Sequence, residues 1–476
     1  MSSERAPTGI DGLDEMIEGG FQKGSLIILA GNPGTGKTVF ATSFLCKGAN
    51  LGETGVYASF AENKETFTNN MSKHLNRDCE ICSRKEKCQF LDLVTSKEGG
   101  TPTLLQSIQV MAEETKASRL VIDSFTAMTQ AFRDKIDARV IVHTILRKIV
   151  RHLRCTTILV VEIPTGQDQI GVGVEEFVAD TVVKLSVDQF EGHPFRELEL
   201  RKVRGTRIPE RKLVFTLEGG FKAFAPFKTK DVEEPRRFTP IADQDGRFST
   251  GSADLDTLLG GGYPKGSSVL LEIDERISAK QSYMILNPTV FNFWANGRAE
   301  LVIASAGVDQ NTIKKQALND GFSQEEIGHL FKIWNITPKG YSDDRVATPF
   351  GETSVVDEYG EYHRIEEELM RNTGKPVLRI TGGDSLIAFY GADTSARIWN
   401  LDAIRLRERG NLGILVLRPA SEDLSKTLSA VADVHLRLMR RNGALILRGI
   451  KPRTGLHVVE LDTSKGYPLP KLTPIV

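Results

Sequence analysis

Nowhere in the 476 residues is there an apolar run of about 18 residues, the least that a membrane-spanning helix requires. The polar opening MSSERAPTG does not read as a secretory signal, so the expectation is a cytoplasmic chain without membrane insertion. A surplus of one charge is missing too: Lys plus Arg number 61 against 62 for Asp plus Glu, a formal net charge of −1. That balance excludes a general electrostatic grip on nucleic acid, though not a local basic patch. Cysteine is scarce, and five in a reducing compartment read as thiols or metal ligands rather than disulfides. What is present is ordinary for a globular protein, 40% hydrophobic and 26% charged, in a chain too long for one core.

The chain contains a repeat. Thr8-Gly9-x3-Leu13-Asp14-x4-Gly19-Gly20-Phe21-x2-Gly24-Ser25 recurs at an offset of 242 residues as Thr250-Gly251-x3-Leu255-Asp256-x4-Gly261-Gly262-Tyr263-x2-Gly266-Ser267. So many fixed positions indicate a tandem duplication. The polar, proline-containing stretch between the copies reads as a linker over 227–247, separating domains 1–226 and 248–476. In the first copy Leu26–Ala30, Val56–Phe60, Leu120–Asp123 and Thr157–Glu162 have the apolar character of buried parallel strands. Val142, Leu146, Ile149, Val150 and Leu153 recur at helical spacing between the last two. Strands alternating with helices predict an α/β fold, a mostly parallel sheet flanked by helices.

Gly31-Asn32-Pro33-Gly34-Thr35-Gly36-Lys37-Thr38 follows an apolar strand, precedes an apolar helix and satisfies GxxxxGK[ST] in full. Glycines let backbone N–H groups close around phosphates, and the helix N-terminus favours negative charge. Lys37 then serves the β- and γ-phosphates of ATP, and the Thr38 hydroxyl ligates Mg²⁺. Asp123 ends the strand RLVID and is the expected second Mg²⁺ partner. Alone, such an Asp is usually a helix cap; beside a complete phosphate loop the metal reading wins. Glu62, following the second strand, is the candidate for polarising the attacking water, weighed evenly against an acid that merely opens a helix.

The repeated signature, GNPGTGKT, the LVIDS strand, Phe177-Val178-Ala179-Asp180 and Arg201-Lys202-Val203-Arg204-Gly205-Thr206 together resemble KaiC, within the RecA-like ATPases. The resemblance implies two tandem RecA-like P-loop domains, assembled as a homo-oligomer, a hexameric ring with ATP at subunit interfaces. It implies that Lys202 and Arg204 reach the γ-phosphate of the neighbouring subunit; the alternative is a pair of basic residues on a solvated strand. KaiC-like domains usually carry two adjacent acids after the second strand, and here the first is Ala61, which implies slow hydrolysis or binding without turnover.

The second copy departs further. Where the repeat predicts a phosphate loop the chain reads Glu272-Ile273-Asp274-Glu275-Arg276-Ile277-Ser278-Ala279-Lys280-Gln281, without glycine, so little or no ATP binding is expected there. Lys280 replaces the loop lysine only with a one-residue shift. The strand Val377–Thr381 with Gly382-Gly383-Asp384-Ser385 echoes LVIDS, and Lys451-Pro452-Arg453 echoes Lys202-Val203-Arg204, so the fold is expected to persist in a structural or regulatory role.

His74, Cys79, Cys82 and Cys88 form a cluster with the spacing of a structural Zn²⁺ site, against a redox pair, an iron–sulfur cluster or incidental thiols. Cys46 and Cys155 stand in apolar contexts and read as core residues. The leading functional expectation is an oligomeric, ATP-hydrolysing switch acting on an unidentified protein partner. Gln167–Phe177 serves in it as a mobile reporter loop and Glu162 as a nucleotide sensor. The alternatives are a DNA-processing ATPase, disfavoured because that loop has no Lys or Arg, and a non-hydrolysing ATP-binding scaffold.

Overall fold

The computed structural model describes residues 4–74, 87–94, 101–130, 148–167, 170, 179–305, 310–334, 355–418 and 422–476. The chain divides into two compact units: Met1–Phe227 with Asn442–Ala444 and Pro474–Val476, and Lys228–Arg441 with Leu445–Thr473. The proline-containing stretch after Phe227 lies against the second unit. Phe238 packs on Tyr467 and Phe291 with ring centroids 4.8 and 6.0 Å away, and the Ile241 N–H donates to Asn292 at 2.8 Å.

The first domain is built on a nine-stranded sheet among the described residues. Its strands are β1 (Leu26–Gly31), β2 (Gly55–Ser59), β3 (Cys88–Asp92), β4 (Arg119–Asp123), β5 (Thr156–Glu162), β6 (Thr181–Phe190), β7 (His193–Val203), β8 (Lys212–Thr216) and β9 (Lys222–Phe224). The spatial order is β9-β8-β7-β6-β1-β5-β4-β2-β3. From β3 to β6 neighbours run parallel, and from β6 to β9 antiparallel. Every residue of β1 is buried, because both faces of a parallel sheet are covered and a continuous apolar run is what that demands. One face packs Phe40, Phe44 and Leu45 of helix α1 (Lys37–Asn50); the other packs Leu104, Leu105 and Ile108 of the helix over 101–114.

The second domain repeats this plan strand for strand. Its sheet comprises β10 (Ser268–Ile273), β11 (Glu300–Ile303), β12 (Phe331–Trp334), β13 (Leu378–Gly382), β14 (Leu412–Leu417), β15 (Val434–Arg441), β16 (Ala444–Lys451), β17 (Leu456–Asp462) and β18 (Leu469–Pro474). The order β18-β17-β16-β15-β10-β14-β13-β11-β12 is that of the first sheet with nine added to each number. Helix α2 (Ala279–Ala295) follows β10 as α1 follows β1, and both helices begin at the same place in the repeat.

The repeated signature has a structural cause. The Asp14 carboxylate accepts the Thr8 N–H at 2.8 Å, and the Asp256 carboxylate accepts the Thr250 N–H at 2.7 Å. Each carboxylate thereby satisfies backbone donors of the turn that leads into its domain. Gly20 and Gly262 sit at φ 133° and 99°, and a Cβ would come within 2.3 Å of the Ala6 carbonyl oxygen or 2.2 Å of that of Phe248. No other residue type fits either position.

Candidate nucleotide site

The phosphate loop springs from the end of the central strand β1 and closes at Gly36, the left-handed N-cap of α1 at φ 94°. A Cβ on Gly31 would lie 2.6 Å from the Leu185 carbonyl oxygen, so the loop's first residue is glycine because β6 passes so close. The loop is braced from within: Thr35 Oγ1 donates to the Asn32 carbonyl at 2.8 Å, and Asn32 Nδ2 donates to the Ile163 carbonyl at 2.9 Å. Lys37 is 8% exposed and its Nζ donates to the carbonyls of Gly31 and Asn32 at 2.9 and 2.8 Å. Burial pushes its ammonium below the ordinary lysine range, while Glu162 and Asp123 pull it back.

Asp123 ends β4, two strands from β1, at the same edge of the sheet. Thr38 Oγ1 donates to Asp123 Oδ2 at 3.1 Å, and the Tyr57 hydroxyl donates to the same oxygen at 2.5 Å. The spacing therefore brings Lys37, Thr38 and Asp123 into one corner. Tyr57, on β2, is the residue of this corner that sequence reasoning missed; its only sequence trace is a phenol in a buried, mostly apolar strand. Burial, then the Asp123 charge, raises its hydroxyl well above the usual tyrosine range, so it stays a donor. Glu62 follows β2, its backbone N–H held by Ser59 Oγ at 3.1 Å and its carboxylate taking the Asn70 amide at 3.3 Å. Its charge is felt at Tyr57, which puts it in the same electrostatic neighbourhood as Asp123. Glu162 ends β5 beside β1, with its N–H bonded to Thr126 Oγ1 at 2.9 Å.

Lys202 and Arg204 are elsewhere. Lys202 pairs with Val182 and Val203 with Thr181, whose partner in β1 is Ile27, whereas the phosphate loop leaves β1 beyond Gly31, opposite Leu185. Arg204 thus lies at the far end of the central strands, roughly 13 Å of strand from the loop of its own domain. There its guanidinium pairs with Asp180 at 3.2 Å.

In the second domain the same corner is dismantled. Helix α2 begins at Ala279 and not one residue later, so Ala279 holds the place of Lys37 and Lys280 that of Thr38. Ser278 and Gln281 form a reciprocal capping box, so N–H groups that would face a phosphate are already satisfied. The register of β13 puts Gly382 in the place of Asp123, and the register of β14 puts Arg418 in that of Glu162. The echo of LVIDS is thus a strand without its carboxylate. Lys451 donates to the carbonyls of Ser429 and Ala432 at 2.6 and 3.3 Å, tying down the end of its own domain's helix over 422–431.

The cysteines depart from expectation. Cys46 is not a plain core thiol but is disulfide-bonded. Cys88, on β3, packs against Cys46 and Ala49 of α1. Cys155 is the buried thiol expected, with burial pushing it up to about 12. Cys79, Cys82 and the His74 side chain lie outside the described residues, and so do most of Gln167–Phe177 and the motif residues Phe177 and Val178. Among the described residues no group of three or more His, Cys, Asp or Glu is placed to hold a metal ion, and no helix is long and apolar enough to cross a membrane.

A glycine-cradled loop on the central strand, a helix after it, and a threonine–aspartate pair at the same sheet edge define a P-loop nucleoside triphosphatase domain of RecA-like fold. Residues 6–221 match the family "ATPase: KaiC", and the first domain belongs to that family. The chain is 26% identical to Protein GvpD2 of Halobacterium salinarum over 485 aligned positions, 96% of this chain and 94% of that one, a match that runs through both domains. It is 29% identical to the circadian clock protein KaiC3 of a Synechocystis species over 56% of this chain and 53% of that one, about half the clock protein's length. Among solved structures, a KaiC-like protein of Pyrococcus horikoshii is 31% identical over 47% of this chain and 99% of its own, with a TM-score of 0.42.

Proposed function

We propose that this chain is an oligomeric switch driven by ATP bound in its first domain, with the second domain in a structural or regulatory role. The observation that carries it is the contrast between the two corners: Lys37, Thr38, Tyr57 and Asp123 converge in one, and every counterpart is replaced in the other. The loop from Gly31 to Thr38 is shaped for the ATP phosphates, with Lys37 supplying the cation. Thr38 Oγ1 and Asp123 Oδ2, an oxygen pair 3.1 Å apart, are the chemistry that a hard divalent cation selects and would hold Mg²⁺. Bound there, Mg²⁺ would neutralise charge on the β- and γ-phosphate oxygens.

Tyr57 keeps the Asp123 carboxylate oriented. Glu62 is the base that positions water, and with Ala61 beside it in place of a second acid the turnover is slow. Lys202 and Arg204 serve the nucleotide of a neighbouring copy, since within their own domain they are at the wrong end of the sheet. Hydrolysis then depends on assembly, as a hexameric ring of the kind the KaiC resemblance implies, and nucleotide state is passed to a protein partner. A structural Zn²⁺ on His74, Cys79, Cys82 and Cys88 rests on sequence spacing alone and competes for cysteine with the disulfide at Cys46; metal and free-thiol analysis of the purified chain tests which of the two forms.

ATP hydrolysis per chain, measured against protein concentration with Lys37→Ala as the blank, tests the assembly. A specific rate that rises with concentration and vanishes in the variant is expected. A rate that persists in Lys37→Ala overturns the site, and tight ATP binding without turnover replaces the switch by a scaffold.

A further inference from the structure

Among the described residues, the corner that lost its nucleotide chemistry in the second domain is not filled in. Leu286 stands where the first domain has Phe44, and Val302 where it has Tyr57, so two aromatic rings are replaced by smaller aliphatic groups. A cavity of about 320 Å³ remains between α2 and strands β11 and β13. Leu286, Val290, Val302 and Ile380 supply apolar walls. That volume is at the small end of sites for drug-sized ligands, and the lining has their usual character, apolar with a few polar groups.

The polar groups are arranged by sign. In the first domain the corner presents Thr38, Asp123 and Glu162, which suit a metal ion. Here Lys280, Gly382 and Arg418 take those places and all three line the cavity, so acid has become base. Lys280 is exposed at the mouth, and Arg418, half-buried, donates to the Ile277 carbonyl at 3.1 Å. Glycine is required at 382 because a Cβ would come within 2.5 Å of the Ser305 backbone. Glu300 contributes to the wall from the start of β11; it is 2% exposed, with the Trp294 indole beside its carboxyl and, among the described residues, no well-formed hydrogen bond to its Oε2. Burial raises this carboxyl to about 8, the Trp294 indole acting in the opposite direction. A buried carboxyl oxygen without a well-formed hydrogen bond is costly unless something else supplies one.

We propose that the second domain binds a small organic anion with an apolar body, its head between Lys280 and Arg418 and its body along Leu286, Val290 and Ile380, with a hydrogen-bonding group toward Glu300. No divalent cation is involved, because the oxygen ligands that would hold one in the first domain, Thr38 and Asp123, are replaced here by Lys280 and Gly382. The ligand is distinct from ATP, whose phosphate seat is closed here by the Ser278 cap. The site stands whether or not the first domain turns ATP over.

The test titrates the full chain with 1-anilinonaphthalene-8-sulfonate, a probe with a sulfonate head and an aromatic body. Saturable binding is expected, with emission sensitised by Trp294, Trp334 and Trp399, all of which lie in the second domain. Excess ATP with Mg²⁺ leaves it in place. Lys280→Glu, a change on the exposed first turn of α2 that leaves the core intact, weakens binding about tenfold. Leu286→Phe, read by direct excitation, weakens it by narrowing the cavity. The proposal is overturned by the absence of saturable binding, by displacement with ATP and Mg²⁺, or by Lys280→Glu and Leu286→Phe both binding like the unaltered chain.

Discussion

Thr38 Oγ1 and Asp123 Oδ2 meet at 3.1 Å although 85 residues separate them, because β1 and β4 end at the same edge of one parallel sheet. Asp123→Asn keeps the shape and removes the charge. Hydrolysis should fall by roughly two orders of magnitude or more, the effect of losing one preorganised electrostatic group. Nucleotide affinity should become insensitive to Mg²⁺, and a titration at varied Mg²⁺ reads this directly. An unchanged Mg²⁺ dependence would remove Asp123 from the metal site.

Tyr57→Phe tests the phenol that donates to the same oxygen at 2.5 Å. A hydrogen bond to a charged group contributes about 1.5–3 kcal/mol, so thermal unfolding of the first domain should shift down by several degrees. Hydrolysis should fall less than for Asp123→Asn, since the metal ligand remains. A larger fall for Tyr57→Phe would give the phenol a direct role.

Arg204 is bound to Asp180 at 3.2 Å, remote from the phosphate loop of its own domain. Arg204→Ala should therefore leave ATP binding intact while cutting hydrolysis, a cation supplied in trans having effects of about a thousandfold or more where it has been measured. Mixing Arg204→Ala with Lys37→Ala chains should restore activity, because each supplies what the other lacks. Failure to complement, with both variants assembled, contradicts the arrangement in trans.

The contiguous parts of this molecule were legible in its sequence. Gly31–Thr38 declares itself because eight consecutive residues must satisfy one loop, and the repeat declares itself because Asp14 and Gly20 have the same backbone duties as Asp256 and Gly262. Relationships carried by strand register were not legible. Tyr57 reaches Asp123 across parallel strands, and the substitution of Asp123 by Gly382 and of Glu162 by Arg418 appears only once the sheets are aligned. Lys451 looked like Lys202 in its short motif, yet its ammonium is committed to helix carbonyls. The disulfide at Cys46 had no local mark either, since a cysteine on an apolar helix face reads as core.

The second domain should resist repair by a single residue. Ala279→Lys restores the loop lysine but leaves the Ser278 cap, Gly382 and Arg418 in place, so no second ATP site should appear. Ser278→Ala removes the cap and should destabilise this domain by about 1 kcal/mol, measured by denaturant unfolding.

Acid should weaken the second domain through Glu272. Burial opposes its ionisation, but hydrogen bonds from His435, Ser425 and Arg437, the last at 2.7 Å, outweigh that and hold it at about 2. A carboxylate depressed in the folded state stabilises above its unfolded value, near 4.5, and loses that contribution as the pH falls toward 2. Unfolding free energy measured from pH 5 down to pH 2 should drop, and Glu272→Gln should flatten this slope. An identical slope in the variant would assign the acid sensitivity elsewhere.

The central claim is that one of the two duplicated domains holds nucleotide and the other does not. Equilibrium binding of a slowly hydrolysed ATP analogue with Mg²⁺, counted per chain, tests it most directly. A single site per chain that disappears in Lys37→Ala is the predicted result. Two sites per chain, or a site that survives Lys37→Ala, would contradict the account.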